Sequence, residues 1–212
     1  MAQRPPTQEA TYLEAFQALQ RNGHAQDPAW VQSLRDEAIL RFSTLGFPIT
    51  RRGNEEWKYT DVGPIAKATF QSLDTTVLPR VDAADVKGAS VGEAGWSQLV
   101  FVNGSYAREL SSVSSLPAGV MAVNLAEAMK STPDLIQEHL AQYADYEINA
   151  FTALNTAFIH EGAFVHIPDD VLVEEPIRLL FLFTSQDEES VSHSRVLIVV
   201  GKNSKATIID GY

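Results

Sequence analysis

Cysteine is absent from this 212-residue chain. The absence excludes disulfides, cysteine nucleophiles, and any zinc or iron–sulfur centre held through thiolates of this chain alone. Basic residues are scarce as well: 16 Lys plus Arg stand against 27 Asp plus Glu, for a net charge of −11. Phosphate backbones are bound by cationic side chains that displace counterions, so nucleic acid is excluded as the expected partner. No apolar run reaches the ~20 residues that a membrane-spanning helix requires, so no membrane partner is expected. MAQRPPTQEA, at the N-terminus, lacks the apolar stretch of a signal peptide, and a cytoplasmic setting is the expectation. The patterns of a Walker loop, G-x-G-x-x-G, H-E-x-x-H and G-x-S-x-G are missing too, so no enzyme class is signalled. What is present is 45% hydrophobic and 20% charged, ordinary for a globular chain able to bury one large core or two small ones.

Apolar spacing places two helices at the start. Thr7 can cap a helix whose Tyr12, Leu13, Phe16 and Leu19 share a face, and Asn22-Gly23 offers a left-handed stop. Asp27-Pro28 supplies an N-cap and a first-turn proline for a second helix carrying Trp30, Val31, Leu34, Ala38 and Leu45. Gly46-Phe47-Pro48 ends it. Residues 71–95, rich in Asp, Thr, Ala and Gly, read as irregular or weakly extended linking structure. LVFVNGSYAREL, Leu99 to Leu110, has the Asn-Gly signal of a β-hairpin between two apolar runs. Ser131-Thr132-Pro133-Asp134 predicts the start of a helix with Leu135, Ile136, Leu140 and Tyr143.

From about Asn155 the texture changes. AFIHEGAFVHIPDDVLVEEPIRLLFLFTS and RVLIVVGKNSKATIIDGY read as short strands parted by Glu161-Gly162, Pro168-Asp169-Asp170, Glu174-Glu175-Pro176 and Gly201-Lys202-Asn203-Ser204. Such spacing with no helix between suggests an all-β stack and suits a β-solenoid. ATIID opens a strand that Gly211-Tyr212 does not close, so the sequence reads as truncated, with an open edge expected to self-associate.

Three groups of residues are candidates for chemistry. His160 and His166 would share a face of a continuous strand, and with Glu161 or Asp169 could bind a metal, although Gly162 is placed to break that strand. Glu174-Glu175 and Asp187-Glu188-Glu189 offer paired carboxylates of the kind a glycan hydrolase uses, yet both lie in turn-like contexts. Arg51-Arg52 could steer an acidic partner, or be simply solvated. No residue is assigned as catalytic, cofactor-binding or metal-ligating on this evidence.

NEEWKYTD, Asn54 to Asp61, concentrates two large aromatic residues around Lys58. In an extended segment Trp57 and Tyr59 would share one face while Glu56 and Lys58 share the other. Two readings stay open: a structural anchor with packed rings, or an interface hot spot.

GFPITRRGNEEWKYTDV, Gly46 to Val62, resembles the N-terminal signature of the SufD branch of the SufB/SufD family of iron–sulfur cluster assembly proteins. The family pattern is a Gly-x-Pro turn, a basic residue, then Glu-x-Trp-(Lys or Arg)-Tyr-Thr. It falls here on Gly46, Pro48, Arg52, Glu55, Trp57, Lys58, Tyr59 and Thr60, with a slightly long loop before Glu55. LVFVNGSY, LNTAFIHEGAFVHIPDDVLVEEPIRLLF and SRVLIVVGKNSKATII are also similar to that family. The resemblance implies an α+β chain: a helical N-terminal region over 1–70 and a connecting region with a hairpin and a helix over 71–150. The first part of a right-handed parallel β-helix would follow over 151–212. It further implies a non-catalytic scaffold that pairs with SufB-like and SufC-like subunits, with an iron–sulfur cluster handled by the whole complex and no cofactor held by this chain. The alternative class is a carbohydrate-active β-helix enzyme using the paired carboxylates.

Overall fold

The computed structural model describes residues 8–21, 27–48, 55–68, 71–72, 81–93, 95–114, 116–184 and 190–212. The chain divides into two compact units: residues 1–72, 141–159 and 188–190 form one, and 73–140, 160–187 and 191–212 the other.

The first unit is helical. Helix α1 (Gln8–Arg21) buries Tyr12 and Phe16, as the apolar spacing predicts. Its expected caps, Thr7 and Asn22-Gly23, lie outside the described residues. Helix α2 (Ala29–Leu45) stops at Gly46, whose φ of 62° lets its N–H reach back to the Phe42 carbonyl at 2.8 Å. Asp27 does not cap α2: Pro28 takes that position without a side-chain hydrogen bond. The Asp27 carboxylate instead pairs at 2.7 Å with Arg35, only 3% exposed, whose Nε donates to the Ile159 carbonyl. Burying a charge demands such a partner. Two further helices complete the unit, the short α3 (Gly63–Lys67) and α7 (Ala150–Ala157). Helix α7 presents Ala153 and Ala157 to α2, small side chains that permit close approach. Phe42, Phe47 and Tyr12 meet edge to face, with centroids 5.2–5.8 Å apart.

The second unit holds helices α4 (Ala83–Ala89), α5 (Leu125–Ser131) and α6 (Pro133–His139) with two small mixed sheets. Helix α4 stands where a linker was expected. Its start is an all-acid capping box: Asp82 accepts the N–H groups of Ala84 and Asp85, and Asp85 accepts that of Asp82. Strands β2 (Ser97–Val102) and β3 (Ser105–Tyr106) form the expected hairpin, with Asn103 and Gly104 at φ of 50° and 89°. Strand β6 (Ile177–Leu182) runs parallel to β2, and β9 (Ile208–Gly211) parallel to β6. In the other sheet, β4 (Met121–Asn124) lies antiparallel to β5 (Gly162–Ile167), which β8 (Arg195–Val200) flanks in parallel. The two-residue strands β1 (Gln71–Ser72) and β7 (Ser190–Val191) lie outside these sheets.

This arrangement corrects the expectation of a β-helix. Each sheet combines parallel and antiparallel partners, and chain from residues 97–124 supplies β2, β3 and β4. The physical reason lies in strands apolar on both faces. Leu99, Phe101, Leu179 and Phe181 pack inward with Ala163, Val165 and Ile167 of the other sheet. Val100, Val102 and Leu180 point the other way and need Val86 of α4 to cover them. Each large apolar side chain so buried contributes about 1.5–3 kcal/mol. A helix-free stack could not supply that cover.

A strand–turn pattern does recur within the unit. Gly162 to Ile167 pairs residue for residue with Arg195 to Val200. The turns that follow are laced together at the same separation of 33 residues. Asp169 accepts the Lys202 N–H at 2.7 Å, Asp170 accepts the Asn203 amide at 3.0 Å, and the Val171 N–H meets Ser204 Oγ at 3.0 Å. Asp170 and Asn203 are both left-handed, at φ of 59° and 58°. Beyond them the separation shortens, since Ile177 pairs with Ile208. Glu174 and Glu175 are the surplus pair.

Candidate functional site

The Glu55–Asp61 stretch is a turn, not an extended segment, and this separates its two aromatic rings. The Lys58 N–H returns to the Glu55 carbonyl and the Thr60 N–H to that of Trp57. Trp57 turns inward and half-buries against Phe151, with ring centroids 5.3 Å apart. Tyr59 turns outward and is 90% exposed. The two residues therefore do not share a face. Downstream, Asp61 Oδ1 accepts the Gly63 N–H at 2.9 Å, and Val62 and Ala66 re-enter the helical core. The turn is thus fixed at both ends and carries its most exposed ring at the crest.

Around Tyr59 the surface is polar and mostly acidic. Glu55, Glu56, Thr60 and Asp61 are exposed. Lys58 pairs with Glu55 at 3.4 Å and sits 5.5 Å from the Tyr59 ring centroid. Exposed ion pairs of this kind stabilise little and leave the side chains available. The arrangement suits contact with another molecule rather than covalent chemistry. Arg51 and Arg52 lie outside the described residues.

The histidine candidates are not brought together on one strand. His160 precedes β5, which starts at Gly162 with φ of 147°, so the two histidines share no continuous strand. His166 lies on β5, its ring parallel to that of Phe164 with centroids 6.4 Å apart. Asp169 is spent on the Lys202 N–H. Glu161 accepts hydrogen bonds from the Tyr106 N–H and from the Asn124 side chain, while its carbonyl accepts the Arg195 N–H at 3.2 Å. Burial raises the Glu161 carboxyl above its ordinary value, against the opposing pull of those two bonds. Among the described residues no group of three or more His, Asp or Glu side chains is placed to hold a metal ion.

Glu174 and Glu175 are exposed on the surplus loop before β6, and Asp187, Glu188 and Glu189 lie outside the described residues. No described carboxylate pair forms a hydrolytic site. Sequence reading missed Arg178, 8% exposed in the apolar run of β6. Its guanidinium donates to the carbonyls of Val91 and Glu93 and lies 5.6 Å over the Trp96 ring. An arginine inside a continuous apolar strand is itself the signal, since it must find such partners.

Residues 6–179 match the family described as the SufBD protein N-terminal region. A SufBD family iron–sulfur cluster assembly protein of Synechocystis is 29% identical over 164 residues, covering 77% of this chain and 35% of that protein. The iron–sulfur cluster assembly protein SufD of Bacillus subtilis is 25% identical over 205 residues, covering 95% of this chain and 44% of its own length. SufB of the same organism is 25% identical over 184 residues, 87% of this chain and 36% of its own. The chain therefore spans well under half the length of these curated relatives.

Proposed function

This chain belongs to the SufBD family, and from that premise we propose that it is a scaffold component of an iron–sulfur cluster assembly complex. The family match over residues 6–179, with relatives named for cluster assembly, is the observation that carries the reading. The Glu55-x-Trp57-Lys58-Tyr59-Thr60 signature favours the SufD branch, although SufD and SufB of Bacillus subtilis match with equal identity. The role is a binding role and not a catalytic one. The cluster is cargo, and a chain without cysteine leaves any thiolate ligation to other polypeptide. The partners in this reading are a SufB-like subunit and a SufC-like ATPase, in a cytoplasmic setting.

The test is co-expression of the intact chain with SufB-like and SufC-like subunits of its own organism, followed by affinity capture and gel filtration. Co-elution of all three supports the scaffold reading. An intact chain that elutes alone under low and moderate salt removes it.

A further inference from the structure

Tyr59 combines two properties that single-residue packing does not explain. Its ring is 90% exposed, yet the backbone beneath it is fixed by Trp57 on one side and by Val62 and Ala66 on the other. A large ring displayed on an immobilised turn loses little conformational freedom when something covers it, which is how aromatic residues become anchors at interfaces. The rim has a sign. Glu55, Glu56 and Asp61 surround the ring against Lys58 alone, and Lys58 is paired with Glu55. Lys58 stands within cation–π range of Tyr59, so the surface holds a cation of its own against the ring. The ring has a second face.

We infer that the Tyr59 turn docks a basic segment of a partner polypeptide, with an arginine or lysine side chain on the Tyr59 ring and its flanking cations against Glu56 and Asp61. A second copy of this chain is a poor occupant, because at a net charge of −11 it would bring like charge to an acidic rim. The inference deepens the scaffold reading, on which it rests for the partner being a polypeptide.

The experiment titrates the 212-residue chain into a fluorescein-labelled peptide carrying arginine at alternate positions between glycines, read by fluorescence anisotropy. A peptide of the same length with glutamate at those positions is the control. The arginine peptide is expected to bind saturably and the glutamate peptide not. Tyr59→Ala should weaken binding about two- to fivefold, the strength of an exposed cation–π contact. Tyr59→Phe should retain it, since the face of the ring makes the contact. Lys58→Ala should tighten it by removing the internal competitor, a sign that a merely structural role would not produce. Equal binding by Tyr59→Ala and the native chain overturns the inference, as does absence of saturable arginine-peptide binding. Self-association in sedimentation that Tyr59→Ala abolishes also overturns it, in favour of a second copy. The titration contains no SUF subunit, so its failure leaves the scaffold reading standing, and failure of co-elution leaves the peptide result intact.

Discussion

Trp57 and Phe151 hold their rings 5.3 Å apart at an interplanar angle of 43°, while Tyr59, two residues on, stands in solvent. One aromatic residue of the signature belongs to the core and the other to the surface. Trp57→Ala should therefore destabilise the protein by about 2 kcal/mol, roughly half the cost of removing a fully buried Trp. Tyr59→Ala should change stability by no more than about 0.5 kcal/mol. Urea midpoints at constant slope measure both, and equal losses would show that the division of labour is wrong.

Arg35 provides a sharper case. It is 3% exposed, bonded to Asp27 and to the Ile159 carbonyl. Arg35→Met fills similar space but leaves a nearly buried carboxylate without its cation, and should cost about 3–5 kcal/mol. Replacing both residues, Arg35→Met with Asp27→Ala, should recover part of the loss. A double variant no more stable than the single one in urea would mean that packing, not charge, holds Arg35 in place.

Gly162 should tolerate no side chain. With φ of 147°, a Cβ there would fall 1.8 Å from the Arg195 carbonyl oxygen, inside the β5–β8 pairing. Gly162→Ala should unfold the sheet unit at room temperature or yield insoluble protein, whereas Gly88→Ala, whose Cβ meets nothing within 4 Å, should be neutral to slightly stabilising. Circular dichroism of the two variants side by side decides.

Acid should weaken the fold through His193. Burial pushes its imidazole down from 6.5 to about 4. The unfolded chain then takes up a proton near pH 6.5 that the folded chain refuses until about pH 4. Stability is complete above pH 6.5 and falls through that window, at no more than about 1.4 kcal/mol per pH unit. Glu161 acts in the opposite sense, because burial raises its carboxyl. Its contribution is present below its ordinary value and is lost as pH rises through the folded one. His193→Asn should flatten the loss between pH 6.5 and 4 in urea melts, and an unchanged slope would remove His193 as its source.

Much of this fold was legible in the chain itself. The helices of the first unit followed from Tyr12, Phe16, Val31 and Ala38, and the hairpin from Asn103-Gly104. The Gly46 stop was equally clear. Helix α4 was hidden because its cap uses Asp82 and Asp85 and its seven residues bury little besides Val86. The sheets were mistaken for a solenoid because local alternation reveals strands but not their partners, and β2, β3 and β4 arrive from far upstream. At the signature the residues were found but not their directions. A turn, unlike a strand, sends Trp57 and Tyr59 apart, and nothing in eight letters states which it will be.

The surplus pair Glu174-Glu175 carries a practical consequence. Val173 and Ile177, on either side, are both tied across to the next turn, through the carbonyls of Lys205 and Thr207. Between these ties one pass of the chain uses Glu174, Glu175 and Pro176 where the later pass uses Ala206 alone. The same protein thus already contains a longer and a shorter version of one connection, and both leave the adjoining strands in register. This is where the polypeptide can change length without retuning its core, and where an epitope or a fluorophore loop could be spliced in. A segment inserted between Glu174 and Glu175 would project into solvent from a seam that natural variation in length has, in effect, already tested.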